Sequence, residues 1–472
     1  MPTSRSFALG MAAAAWLVGL AIHWNNGYYS IVGLVLISAA IEIGGAACFG
    51  PPSPAIESLS GKAIVALLTA GIAIDALLIW QRTGDNRLVG AGVLCLGLLG
   101  ALQAFDLRSL RVPLAGILLG LFWIVASVSI HSAPTPRIDV LMFQQVGAES
   151  LLQGQNPYTP RYPNLYGADT RFYGPGVVDA GNRLTVGLPY PPLSLLLSLP
   201  GYVLGGDSRY ADITAMTVSA GLLLLSGPSR WTALIAVLLL LTPRVLFVIE
   251  YAWTEALFAC AFSALMFSAI RWRRAMPYAL GLFLATKQYS VFALPLVPLL
   301  VASDKQESAV RVIGLALAVA AAVTLPFFIW DPHAFWRSVV EFQFVQPLRT
   351  DALSHLVWLH NYFPLVPWQP AMPFVLLIGT MTVALWRSRP TPAYFAGAFG
   401  VAQLVFFAFS KQAFANYYFF VITTLCWAVA AASPVFDDEV EGAAEGVSLH
   451  PVSSRDRATS ASAGSSSSHR TL

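Results

Sequence analysis

Charge is what this chain lacks. Only 11% of its 472 residues are Asp, Glu, Lys or Arg, where a water-soluble domain carries roughly 25%. A deficit of that size cannot coat a water-facing surface, so most of the outside must face lipid. The net charge of +3 is too small and too scattered for a nucleic-acid surface. Lysine is scarcest, occurring only at 62, 287, 305 and 411, which makes a lysine inside an apolar stretch conspicuous. The four cysteines, Cys48, Cys95, Cys260 and Cys426, lie far apart in apolar runs. They form neither a disulfide framework nor a metal-ligand spacing and read as small buried hydrophobes. The histidines match no zinc motif. There is no Gly-rich phosphate loop and no convincing internal repeat. Neither a metal nor a cofactor is expected.

Apolar sequence is what abounds, at 57% of the chain. A membrane-spanning helix needs about 20 mostly apolar residues. Candidate spans lie at 7–23, 30–50, 62–80, 88–104 and 112–130. A loop at 131–190 follows, then apolar segments at 191–206, 209–226, 231–249, 252–270, 277–302 and 310–330. A second loop at 331–370 precedes spans at 371–388, 392–410 and 414–432. The expected fold is all-α, a polytopic transmembrane helical bundle of about 12–14 membrane segments. It divides into N-terminal transmembrane helices (1–130), the loop 131–190, a transmembrane core (191–432) and a tail (433–472). The tail is acidic from Asp437 to Glu445 and then rich in Ser and Ala, a composition that cannot bury a core and predicts disorder. Arg5 and the apolar run after it suggest a signal peptide, but the cleavage context is poor and further apolar segments follow; an uncleaved first span is expected.

Basic turns set the orientation. Arg5, Arg108 with Arg111, Arg271 to Arg274, Lys305 with Arg311, and Arg387 with Arg389 fit a cytoplasmic side. Loops 131–190 and 331–370 then lie outside and the tail inside. Two stretches resist the count. Four apolar segments separate loop 131–190 from Arg271, where an odd number of crossings is needed, so one is incomplete or interfacial. The 277–302 stretch has cytoplasmic signals at both ends yet is too short for two spans. Either two short helices turn near Lys287 beside an outward-opening cavity, or a single long helix carries one misassigned basic turn.

Chemistry is expected in the loops. Arg137-Ile138-Asp139-Val140 opens the first, followed by an amphipathic stretch over Leu141 to Gln153 that reads as a helix on the membrane surface. Gly154 and Pro157 end it. The aromatics that follow suit either an interfacial belt or a sugar-stacking wall. Asp139 is either a general base toward a hydroxyl or a helix cap. Lys287 is either a site cation or a side chain reaching for the interface. Glu250 and Glu255 either pair with Lys287, line its cavity or face water. The second loop carries Arg349 and His355, which are either site residues, the arginine suited to phosphate, or solvated loop residues. Lys411 to Tyr418 sets a cation, an amide and tyrosines at an outer face.

The order of these features resembles the GT-C superfamily of membrane glycosyltransferases. It is most similar to the polyprenol-phosphate-mannose-dependent type, glycosyltransferase family 87 and related membrane proteins. The likeness rests on Asp139 with its helix, Gly154 to Tyr158, Tyr190-Pro191-Pro192-Leu193, Gly281 to Lys287, Arg349 to Ser354, and Lys411 to Tyr418. It covers roughly 139–430. The resemblance implies a polyprenyl-phosphate sugar donor, a lipid or glycan acceptor, inversion, and transfer at the extracytoplasmic face of the cell membrane. It makes Asp139 the base and Lys287, Arg349 and Lys411 the phosphate-binding cations. Substrate contacts are expected from Asn156, Tyr158, Tyr190, Glu255 and His355. The family usually places its acid after the first span and often pairs it; here a single acid follows the fifth, so the first four spans read as an added unit. The rival class is a transporter or lipid flippase with a polar track through Glu42, Asp75, Glu250 and Lys287.

Overall fold

A computed structural model of the protein describes residues 4–432, apart from 85, 106, 160–161, 168–171, 228, 302–307 and 366–369. The tail 433–472 and Lys305 lie outside the described residues. Among the described residues, regular structure is helical throughout, with only isolated β-bridges between loops.

The chain begins with an antiparallel pair, α1 (Arg5–Trp24) and α2 (Ile31–Phe49). Ser4 and Ser30 cap them, their hydroxyls accepting from Phe7 N and Gly33 N, which satisfies N–H groups that a helix start leaves unpaired. The short α3 (Pro54–Glu57) returns to the start of α1, where the Glu57 carboxylate accepts from Ser6 N at 2.8 Å. Three more helices follow: α4 (Gly61–Arg82), α5 (Arg87–Leu102) and α6 (Arg111–Ser132). The first long loop contains α7 (Asp139–Leu152) and leads into α8 (Pro192–Gly205). Next come α9 (Arg209–Ser226), α10 (Arg230–Leu240), α11 (Val245–Glu250), α12 (Glu255–Arg271) and α13 (Met276–Leu284). A 3-10 segment (Gln288–Leu296) then runs into α14 (Val297–Val301), followed by α15 (Ala309–Trp330). The second loop holds α16 (Pro332–Trp336), a π-turn (Arg337–Glu341), α17 (Phe342–Val345) and α18 (His355–Tyr362). The last helices are α19 (Met372–Arg387), α20 (Pro392–Ala408) and α21 (Ala415–Ala432).

Six of these, α1, α2, α4, α6, α15 and α21, are long and apolar enough to cross a membrane. They differ in what surrounds them. α21 is buried along nearly its whole length and packs against α1, α12 and α20. Its Phe420 joins Phe258, Phe283 and Phe399 in an aromatic core. α15 instead exposes Val310, Leu317, Leu325 and Ile329, side chains that only lipid accommodates in such numbers on one helix. The protein is a multi-pass membrane protein.

The odd crossing is accounted for by α8. Its start lies at the hairpin turn, where Leu193 N donates to Ala285 O at 3.2 Å. Just past its end, Arg209 Nη1 donates to Ala133 O at 2.6 Å, at the loop-bearing end of α6. The helix therefore does not reach the opposite face. Fourteen residues give only about 21 Å, short of the ~30 Å hydrocarbon core. The 277–302 stretch is a hairpin, not one long helix. α13 ends at Leu284, the chain reverses through Lys287, and the two arms are tied at their far ends by Arg273 Nη2 donating to Leu300 O at 3.1 Å. One expected helix, 231–249, is broken. α10 stops at Leu240, Pro243 disfavours helix in the residue before it, and Arg244 takes a left-handed φ of 76° before α11 begins.

Candidate active site

The first long loop builds a small core of its own. Phe143, Tyr158, Tyr162, Tyr173 and Leu188 are buried together with Phe335 and Phe342 of the second loop. Several polar contacts fix this assembly. Gly187 N donates to Ser338 Oγ at 2.8 Å. A Cβ at Gly187 would fall 2.1 Å from the Tyr158 carbonyl, so only glycine permits the approach. Gln288 Nε2, just past the hairpin turn, donates to Pro189 O at 2.7 Å and Val339 O at 3.0 Å. Arg349 N donates to Lys411 O at 3.1 Å and Leu353 N to Ala413 O at 2.8 Å, joining the second loop to the start of α21. The α1–α2 turn closes the side: Gly27, at φ 73°, sits where a Cβ would meet Ala415 N at 2.4 Å.

These elements surround a cavity of about 470 Å³, and Asp139, Tyr166, Tyr190, Lys287, Arg349 and Asn416 are on its wall. Asp139 is the first residue of α7. The cap position belongs to Ile138, and the Asp139 carboxylate accepts from backbone N–H groups at the helix start, its own and that of Val140, so the acid serves the helix start as well as facing the cavity. Tyr173 OH donates to Asp139 Oδ2 at 3.0 Å, and Asp139 N donates to Tyr166 OH at 3.2 Å. Burial pushes the Asp139 carboxyl above its ordinary range, and the two tyrosine hydroxyls together with the backbone N–H groups of Asp139 and Val140 pull it only part of the way back.

Lys287 sits in the hairpin turn, buried, with Nζ donating to Thr254 Oγ1 and Glu255 Oε1, each at 2.6 Å. Its ammonium lies 5.0 Å from the Tyr190 ring centroid, within cation–π range. The same Glu255 oxygen also accepts from Tyr289 OH at 3.0 Å and Asn416 Nδ2 at 2.9 Å. Lys287 thus does not reach for an interface, and Glu255 is its partner. Arg349 forms a bidentate pair with Asp351, both contacts 2.8 Å, with its guanidinium over the rings of Phe172 and Phe414 at 4.4 and 4.8 Å. Arg137, also on the wall, donates through Nε and Nη2 to Leu165 O at 3.1 and 2.9 Å.

Four expected site residues stand elsewhere. Lys411 donates to the carbonyls of Phe344 and Gln346 at 3.1 and 2.7 Å, and burial lowers its pKa to about 8. Tyr158 is a core residue whose OH donates to Tyr190 O at 2.9 Å. Asn156 is buried behind it, its Oδ1 accepting from Tyr158 N at 3.0 Å. His355 contacts Ser38 Oγ at 3.1 Å and lies against Phe409. Glu255 stands just behind the wall, holding Lys287. Conversely, sequence reasoning gave no role to Arg137, Tyr166 or Tyr173, because nothing in the spacing of the two tyrosines announces their contacts with Asp139 and nothing in that of Arg137 its place on the cavity wall. Of the loop aromatics, Tyr158, Tyr162 and Tyr173 are core, a placement that neither the interfacial belt nor the sugar-stacking wall describes, while Tyr166 and Phe172, stacked 3.9 Å apart, line the cavity.

The residues of a transport track do not gather. Glu42 is exposed on α2, Asp75 accepts from Trp16 Nε1 at 3.1 Å, and Glu250 lines a different cavity from Lys287. Among the described residues, no three His, Cys, Asp or Glu side chains group as a metal site.

No family model matches the chain, and no curated protein does. Among solved structures, ArnT from Cupriavidus metallidurans bound to undecaprenyl phosphate is similar at 18% identity, over 70% of this chain and 63% of that one, with a TM-score of 0.42. The same protein in the apo state is 20% identical over 70% of this chain and 62% of that one, again with a TM-score of 0.42. The matched region spans less than two thirds of ArnT.

Proposed function

We propose that this protein is a GT-C-type membrane glycosyltransferase. It moves a sugar, mannose or a similar hexose or pentose, from a polyprenyl-phosphate donor to a lipid or glycan acceptor at the extracytoplasmic face. The observation that carries this reading is the meeting of a carboxylate of raised basicity, Asp139, with Lys287 and Arg349 on one cavity wall.

The chemistry needs little else. An acceptor hydroxyl attacks the anomeric carbon and gives its proton to Asp139. The carbon–oxygen bond to phosphate breaks, and polyprenyl phosphate leaves with the bonding electrons. One displacement inverts the anomeric centre. A carboxylate with raised pKa is a better general base than an ordinary one. Lys287 and Arg349 each already hold a carboxylate, so they offer directed N–H donors to the leaving phosphate rather than surplus charge. Arg137, fixed by a backbone carbonyl, is a third cation on the wall, and its charge is left uncompensated once Asp139 has taken the acceptor's proton. The isoprenoid tail stays in lipid while the head group reaches the cavity. No nucleotide site is required.

Purified protein incubated with polyprenyl-phosphate mannose and an acceptor extract should release polyprenyl phosphate; no release from mannose, other hexose or pentose donors would defeat the proposal. Orientation is tested separately. Leu165, whose carbonyl holds Arg137, becomes Cys in a cysteine-free background. An impermeant maleimide should label intact cells at that position, and labelling only after permeabilisation would invert the topology that Arg271 to Arg274 support.

The transporter reading finds less support, because Glu42, Asp75, Glu250 and Lys287 stand apart.

A further inference from the structure

A second cavity, of about 590 Å³, lies beside the first and is lined by Arg82, Arg244, His23, Asn26, Asn86 and Glu250, among others. Its lining is mixed, with Ile79, Val89, Leu246 and Phe247 beside the charged and amide groups, which suits a ligand that has both a charged end and a less polar body. Two guanidinium groups face one carboxylate. The carboxylate, on Glu250, already accepts from Ser129 Oγ, and Arg209 is engaged with the Glu250 backbone carbonyl at 3.2 Å. With histidine neutral, one positive charge is left over.

Three buried polar atoms in this wall have no partner: His23 Nδ1, Asn26 Oδ1 and Arg244 Nε. Buried polar groups are nearly always bonded, so three orphans in one cavity call for an occupant. The orphans also describe it. Arg244 Nε needs an acceptor, Asn26 Oδ1 needs a donor, and His23 Nδ1 takes either. Two of these residues, Asn26 at φ 55° and Arg244 at φ 76°, hold left-handed backbone without being glycine. Such strain collects where a side chain must point somewhere particular.

We propose that this cavity binds an anionic, hydroxyl-bearing head group, a phosphate or carboxylate carried on a glycerol or sugar, and that this is the anchoring end of the acceptor. The second half of that statement rests on the glycosyl-transfer reading; the binding itself does not. Position links the two sites. Tyr251 lines both cavities, Asn26 and Pro136 face the second, and Tyr28 and Arg137 line the first. A head group held by Arg82 and Arg244 therefore presents its free hydroxyls across Tyr251 toward Asp139.

The test uses the full chain in phosphatidylcholine nanodiscs. One arm measures labelled glycerol 1-phosphate by equilibrium dialysis, and the other measures phosphatidylglycerol retained from mixed nanodiscs by native mass spectrometry. Arg244→Gly is the informative variant, because glycine adopts the left-handed backbone without strain and so removes the cation without endangering the fold. Wild type and Asp139→Asn should bind equally, with Arg244→Gly and Arg82→Ala at least ten-fold weaker and the melting temperature of Arg244→Gly unchanged or higher. Binding in either arm supports the site and identifies whether its ligand is soluble or lipid-borne. Wild type that binds neither probe, or variants that bind as wild type does, would overturn it. Because no turnover is needed, a protein that transfers no sugar still answers the question.

Discussion

Asp139→Asn is expected to lower sugar transfer about 10²–10⁴-fold, the usual contribution of a positioned general base, while leaving the protein folded and inserted. The amide keeps the size of the carboxyl and can still accept from Tyr173 OH, now 3.0 Å from Oδ2, but it cannot take a proton. The stability side has a definite sign. Burial raises the Asp139 pKa in the folded protein, so the folded state binds this proton more tightly than the unfolded chain does. The stability that the protonated carboxyl contributes is complete at low pH. It is lost as pH rises through the window between the unfolded value, about 3.9, and the raised folded one. Removing the ionisable group should therefore leave stability at neutral pH equal or slightly improved. Activity has the opposite dependence: only the ionised base works, so turnover should rise with pH along an acid limb placed above the ordinary carboxylate range. Tyr173→Phe deletes a donor that favours the charged form and should move that limb further up. Unchanged turnover in Asp139→Asn, measured as polyprenyl phosphate release, would place the base elsewhere.

How far this site was legible in the sequence depends on the kind of signal. A lysine in an apolar run is costly enough to demand a reason, and basic turns at both ends of 277–302 suggested an even number of passes. Together they pointed to a hairpin at Lys287 while leaving one long helix open, and the structure decides for the hairpin. Glycine and proline after the amphipathic stretch marked the end of α7, where Gly154 does adopt φ 72°. Polarity alone was a weaker guide. It marks a side chain that must find partners, without saying whether these are a ligand or the protein itself. Lys411 satisfies itself on two backbone carbonyls, His355 on Ser38, and Tyr158 and Asn156 within the loop core. The tyrosines around Asp139 were invisible for the converse reason. Their contact depends on how a loop of irregular backbone folds back on itself, and no periodicity encodes that. Hydropathy also overcounted: α8 is as apolar as a span, but its place is set by bonds at its two ends rather than by lipid thickness.

The Lys287–Glu255 pair supports the second large prediction, because its role in folding and its role in donor binding come apart under substitution. With side-chain exposures of 6% and 0%, neither ion can turn to water. Lys287→Met leaves the Glu255 carboxylate buried against Tyr289 and Asn416 alone, and should cost about 3–5 kcal/mol of stability. Glu255→Gln leaves the ammonium with Thr254 and the Tyr190 ring and should cost a similar amount. The double variant carries no uncompensated charge and should recover most of the loss, since a buried pair replaced as a unit is often close to neutral. Thermal unfolding in detergent, read as a double-mutant cycle, measures that coupling. Donor use should not recover with it. If Lys287 directs N–H donors at the leaving phosphate, kcat/KM for the polyprenyl-phosphate sugar stays depressed in the double variant. A double variant that regains both its melting temperature and wild-type donor use would make Lys287 a folding element only, leaving Arg349 and Arg137 to meet the phosphate.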